Sequence, residues 1–161
     1  MKKKFFIPLL IVAFAFFFSN CDKKDDSNDN LLLLLLLTQS KGTISFTVSG
    51  QQVSMSTPDG FGSGLGLLLA GFGVDINNSI VVSMPSAATQ GTVYNESSTS
   101  FIFGYTRNGI MYGNTTGHSF TFTVTSKTTN SISATFSGAL YGMPGELTLT
   151  NGTLSASITS I

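Results

Sequence analysis

Ser131-Ile132-Ser133-Ala134-Thr135-Phe136-Ser137 sets a hydroxyl against an apolar residue at every step, and Ser119-Phe120-Thr121-Phe122-Thr123-Val124-Thr125 repeats the pattern. Successive side chains of an extended strand point to opposite faces. A period of two therefore collects the apolar groups on one face and the hydroxyls on the other. Wound into a helix, the same residues would mix the two sets on every side. Ile44, Phe46 and Val48 alternate in the same way with Thr43, Ser45, Thr47 and Ser49. Each of these stretches reads as a strand with one buried face and one hydroxyl-covered face.

Turn residues fall between such runs, at Gly50-Gln51, Asn77-Asn78, Asn108-Gly109, Thr129-Asn130 and Asn151-Gly152. Asn-Gly pairs supply the positive φ that a two-residue hairpin requires, so Asn108-Gly109 and Asn151-Gly152 carry the strongest turn signals. The predicted strands are 42 to 49, 51 to 57, 65 to 73, 79 to 84, 90 to 94, 100 to 107, 109 to 113, 118 to 126, 131 to 140, and 146 to 159 with a turn near Asn151. Turns every 8 to 12 residues predict an all-β fold, an antiparallel β-sandwich or barrel of about ten strands. The glycine-rich stretch 60 to 66 reads as a loop leading into a central strand. It lacks both the Lys-Ser/Thr ending and the following helix of a phosphate-binding loop.

Composition agrees over residues 41 to 161, which form one domain of 121 residues. They hold 19 Ser, 19 Thr, all 17 Gly of the chain and seven formal charges: Lys41, Arg107, Lys127, Asp59, Asp75, Glu96 and Glu146. β-Branched and aromatic residues suit a half-buried pleated surface, and glycine punctuates turns. With a net charge near zero, the domain has no basic field to attract nucleic acid.

Few residues carry chemistry. A hydrolase triad needs a nucleophile, a base and an orienting acid, and the domain has one imidazole, His118, with four scattered carboxylates. No spacing assembles them. His118 reads as an exposed turn residue, and no catalytic residue is assigned. Zinc would need three or four His, Cys or acidic ligands. Asp59 and Asp75 lack the spacing of a calcium loop, and Glu96 and Glu146 could pair as glycosidase carboxylates only through tertiary structure. No metal or cofactor is expected. Tyr94, Tyr105, Tyr112 and Tyr141, with Phe61 and Phe72, are candidates for a glycan platform, with core or edge packing as the competing role for each. The Asn-x-Ser/Thr triplets at Asn77, Asn95, Asn114 and Asn151 read as turn chemistry.

The amino-terminal segment gives an address. Lys2, Lys3 and Lys4 precede an apolar core from Phe5 to Phe18, about 14 residues, where a bilayer crossing takes roughly 20. Residues 1 to 20 therefore read as a secretory signal. Phe18-Ser19-Asn20-Cys21 resembles the lipobox of bacterial lipoproteins, with Phe18 where Leu is usual and Asn20 where Gly or Ala is usual. The resemblance implies cleavage before Cys21, acylation of its thiol and new amino terminus, and anchoring in the cell outer membrane. Cys21 is the only cysteine of the chain, so an exported thiol here has no disulfide partner within it. Two or three acyl chains, at about 0.8 kcal/mol per buried methylene, would make a durable anchor.

Residues 21 to 40 read as a tether. Cys21-Asp22-Lys23-Lys24-Asp25-Asp26 resembles the surface-export signal of Bacteroidota lipoproteins, which leaves both surface display and the periplasmic face open. The seven leucines 31 to 37 would rise about 10 Å as a helix, too short to cross a membrane. They could pack on the domain, dip into the bilayer, dock a partner, or form a low-complexity stem with no specific function. Ile132 to Gly138, Leu147 to Leu154 and Gly91-Thr92-Val93-Tyr94 together resemble elements of small uncharacterised β-sandwich lipoproteins. That likeness implies a fold and no activity. The resulting expectation is a membrane-anchored, noncatalytic binding or structural module with a protein or glycan partner. The alternatives are an enzyme whose site only the fold assembles, and an accessory subunit of an outer-membrane assembly docking through the leucines.

Overall fold

A computed structural model of the chain describes residues 42–57, 60–63, 66–73 and 77–160, with backbone only at Phe61 and Ser160. Cys21, the leader, the tether with its leucines, Lys41, Asp59 and Asp75 lie outside the described residues.

Eleven strands follow one another: β1 (Gly42–Val48), β2 (Gln51–Thr57), β3 (Gly60–Ser63), β4 (Gly66–Phe72), β5 (Ser79–Met84), β6 (Val93–Asn95), β7 (Ile102–Arg107), β8 (Ile110–Gly113), β9 (Phe120–Lys127), β10 (Ser131–Gly142) and β11 (Gly145–Ser160). Antiparallel pairing runs from β2 through β1, β11, β10, β8, β7, β5 and β4, and Ser56 of β2 meets Phe72 of β4 to complete the circuit. The result is a closed eight-stranded barrel with β3, β6 and β9 added to its wall. Closure removes most of the open edges that would otherwise invite pairing with other chains.

Alternation decides which groups face inward. Ile44, Phe46, Leu69, Ile80, Val82, Phe103, Phe122, Val124, Ile132 and Leu140 are all fully buried. Aromatic rings interlock through this core. Phe103 lies 4.8 Å from Phe120 and 4.9 Å from Phe136, centroid to centroid, and Tyr94 stacks on Phe101 at 4.7 Å. Hydroxyls cover much of the outside, and some pair across strands, as Ser45 Oγ does with Thr153 Oγ1 at 2.8 Å. A barrel that spans a membrane carries the reverse pattern, with apolar residues outward.

The turns follow their chemistry. Ser49 and Gly50 have φ of 51° and 76°, and Asn108 and Gly109 have 52° and 78°, so both hairpins use left-handed residues in succession, as the right-handed twist of the flanking strands demands. The first turn sits one residue earlier than the sequence suggests, because Val48 pairs with Gln51.

Three further sequence expectations change. Gly60–Ser63 is a strand, not a loop: β3 pairs antiparallel with β4 and parallel with the end of β11, where Ile158 lies opposite Gly60. The strand expected at 90 to 94 is only Val93–Asn95, since Gly91 turns the chain at φ 86°. Most instructive is Asn151-Gly152, which is not a hairpin turn. β11 runs straight through it, and its register slips by one residue against both neighbours: Ser45 faces Thr153 while Thr47 faces Thr150, and Phe136 faces Gly152 while Gly138 faces Leu149. This is a β-bulge, with Asn151 at φ 53° as the extra left-handed residue. Thr150 and Asn151 both face outward, so the buried series Leu147, Leu149 resumes one step out of phase at Gly152, Leu154, Ala156 and Ile158. Gly152 is required on packing grounds as well. A Cβ there would lie 2.4 Å from the ring of Phe136, its cross-strand partner.

Candidate functional site: a cleft at the barrel seam

The β2–β4 seam is closed at one residue pair, Ser56 with Phe72. Toward the Ser49-Gly50 end of β2, the wall opens into a cleft of about 460 Å³. One side is β2 itself, from Gln51 to Met55. The other is formed by Gly73 and Asn78 at the base of the β4–β5 connection and by Tyr105, Arg107 and Asn108 of the β7–β8 hairpin. Both faces of β2 contribute. Gln52 and Ser54 point outward and Met55 inward, so the opening exposes the strand at its edge.

Two side chains give the cleft its character. Tyr105 is 2% exposed and packs edge-on against Phe46, with centroids 5.1 Å apart at 79°. Among the described residues its hydroxyl has no hydrogen-bond partner. Burial pushes the phenol pKa up, the Arg107 guanidinium opposes that shift, and Tyr112 adds to it. Tyr105 therefore stays protonated and able to donate. Arg107 reaches Ser49 Oγ through Nη1 at 3.4 Å, and among the described residues no carboxylate pairs with it. Its counterpart Lys127 is engaged differently, by the carbonyls of Ser86 and Ala88. Gln51, Gln52, Asn78 and Asn108 add amides, and half-buried Val53 adds an apolar spot backed by the core residues Val48 and Met55.

A second cluster lies on the outer surface. His118 Nδ1 meets Glu146 Oε2 at 2.9 Å, and the imidazole stacks on Tyr141 at 4.7 Å and 21°. Glu146 faces Tyr141 across the β10–β11 ladder, and Gly117 at φ 96° turns the chain so that His118 can arrive there. Neither His118 nor Glu146 lines the cleft. Tyr141 in this cluster is exposed, as are Met111 and Met143, with Met111 beside Gly142 and folded over Gly104 of the neighbouring strand.

Of the sequence candidates, His118 and Glu146 are brought together. Glu96 serves the backbone, accepting from the Phe120 amide at 3.2 Å. Asp59 and Asp75 fall outside the described residues. Of the aromatic candidates, Tyr94, Tyr105 and Tyr112 are buried and Tyr141 is exposed, while Phe72 is half-buried in β4. No motif marks Arg107, whose one signal in the sequence is its scarcity as one of three cations between residues 41 and 161. Compared with protein families, with curated proteins and with solved structures, the chain matches none.

Proposed function

We propose that the protein is an envelope lipoprotein, held at the outer membrane by acyl chains on Cys21, whose barrel is a noncatalytic binding module. The cleft between β2 and the β7–β8 hairpin carries the reading, because it joins a buried phenol and a guanidinium to a set of amides. A pocket of a few hundred Å³ with convergent polar groups above an apolar wall is the usual form of a small-ligand site. Guanidinium, amides, hydroxyl and aliphatic groups bind and orient a ligand. None of them is a general base near neutral pH. The well-packed interior and closed wall support the same reading, since they hold the rim in a fixed geometry.

The anchor and the binding site are tested separately. Cys21→Ser should release the full chain from the membrane fraction, whereas Arg107→Gln should leave it there. Hydrogen exchange of the detergent-extracted chain, with and without soluble envelope extract, should show protection confined to Gln51–Met55 and Tyr105–Asn108. Protection spread evenly over the barrel, or none at all, would remove the cleft from the reading. A docked protein partner is the second reading, favoured by exposed Met111, Tyr141 and Met143. Protection centred on β8 and the β10–β11 turn would support it.

A further inference from the structure

We propose that the cleft is built for a carboxylate-bearing saccharide, an inference that rests on the domain being a binding module. Buried polar groups in folded proteins nearly always have a partner. Tyr105 is 2% exposed and belongs to the cleft lining, and its hydroxyl has none among the described residues. Its partner is an acceptor on whatever enters. Arg107 presents a planar fork of N–H donors that matches a carboxylate two bonds at a time, and among the described residues its side chain makes one long contact, to Ser49.

The rest of the lining distinguishes a sugar acid from a simple anion. Gln51, Gln52, Asn78 and Asn108 each offer both donors and an acceptor. Sugar hydroxyls also donate and accept, so they use both halves of an amide, whereas a bare carboxylate uses only donors. Half-buried Val53, backed by the core residues Val48 and Met55, gives an apolar spot for the C–H face of a pyranose ring. A neutral sugar would leave Arg107 without a role. An acidic peptide would bring further negative charge to a site whose described lining holds a single cation.

The test is a titration of D-glucuronate and D-galacturonate into the detergent-solubilised full chain, followed by amide NMR. Glucose, acetate and an acetylated diglutamate peptide serve as the other arms. The uronates should saturate at millimolar concentration, with shifts confined to Gln51–Met55, Asn78 and Tyr105–Asn108. Arg107→Gln should weaken them at least about tenfold, the scale of a lost hydrogen bond to a charged group. Tyr105→Phe should weaken them about threefold or more without lowering the urea midpoint, which separates a lost ligand contact from a damaged core. Glucose or acetate binding as well as the uronates, or the peptide binding more tightly, would overturn the saccharide acid while leaving a binding cleft. If no probe shifts the cleft residues, the saccharide acid and the cleft as a ligand site both fall.

Discussion

Deleting Asn151 should be tolerated, and deleting Ser155, four residues along the same strand, should not. In a regular ladder, removing one residue moves everything on one side of the cut to the opposite face. Without Ser155, either Ala156 and Ile158 turn outward or the residues before the cut do. The first choice exposes side chains that are now 3% and 9% accessible. Ile158 is worth about 1.5–3 kcal/mol by burial and Ala156 about 1, so the least costly outcome loses roughly 2.5–4 kcal/mol. A domain with a total of 5–15 kcal/mol would lose a large fraction of its stability. At Asn151 the arithmetic reverses. Thr150 and Asn151 both face outward, so removing one leaves Leu147, Leu149, Gly152, Leu154, Ala156 and Ile158 in unbroken inward alternation. Both neighbouring strands then meet β11 in regular register, and a left-handed non-glycine residue disappears. The cost is the lost bend, under about 2 kcal/mol. Urea unfolding of the two deletion variants, compared with the parent, reads the difference directly. Equal losses, or a larger loss for the Asn151 deletion, would mean that Asn151-Gly152 makes a turn and that the continuous strand is wrong.

Other outcomes follow from single side chains. Tyr105→Phe removes a buried hydroxyl with no described partner, so stability at pH 7 should hold or rise by about 1 kcal/mol, and a loss above that in urea would refute its unpaired state. Burial raises the pKa of Tyr94 and Tyr105 above 10.0, so the unfolded chain releases these protons first. Stability should thus be insensitive to them below pH 10 and fall as pH rises above it, and denaturation curves across that range should fall less steeply for Tyr105→Phe. Gly138→Ala should unfold the domain or cost more than about 3 kcal/mol, since its Cβ would lie 2.3 Å from the Ser119 carbonyl oxygen at φ 129°; a thermal midpoint like the parent's would contradict that contact. The His118–Glu146 pair is half-open to solvent, so its coupling in a double-mutant cycle should be under about 1 kcal/mol.

Local pattern made most of the barrel legible. Stretches such as Phe120-Thr121-Phe122-Thr123-Val124-Thr125 and Ser131-Ile132-Ser133-Ala134-Thr135-Phe136-Ser137 carry strict alternation, and alternation reports the strand whatever its neighbours are. It does not report partners. Gly60–Ser63 has glycine where a strand needs side chains, and it became a strand because the edges of β4 and β11 were there to pair with it. Asn151-Gly152 carried the right residues for left-handed backbone, and both a hairpin and a bulge use them. The discriminating signal was the one-residue change of phase between Leu149 and Leu154. The cleft was less legible. Tyr105 alternates like any core residue, and Arg107 precedes an ordinary Asn-Gly turn, so nothing local marks either. Their meeting depends on β7 facing the open end of β2, a relation between strands about 50 residues apart in sequence.

The anchor is tested most directly by mass spectrometry of the amino-terminal peptide, taken from membranes of intact cells before and after protease shaving. An acylated peptide beginning at Cys21 is the expected result, and its loss on shaving would mark display on the cell surface. An unacylated peptide beginning at any other residue would contradict the lipoprotein.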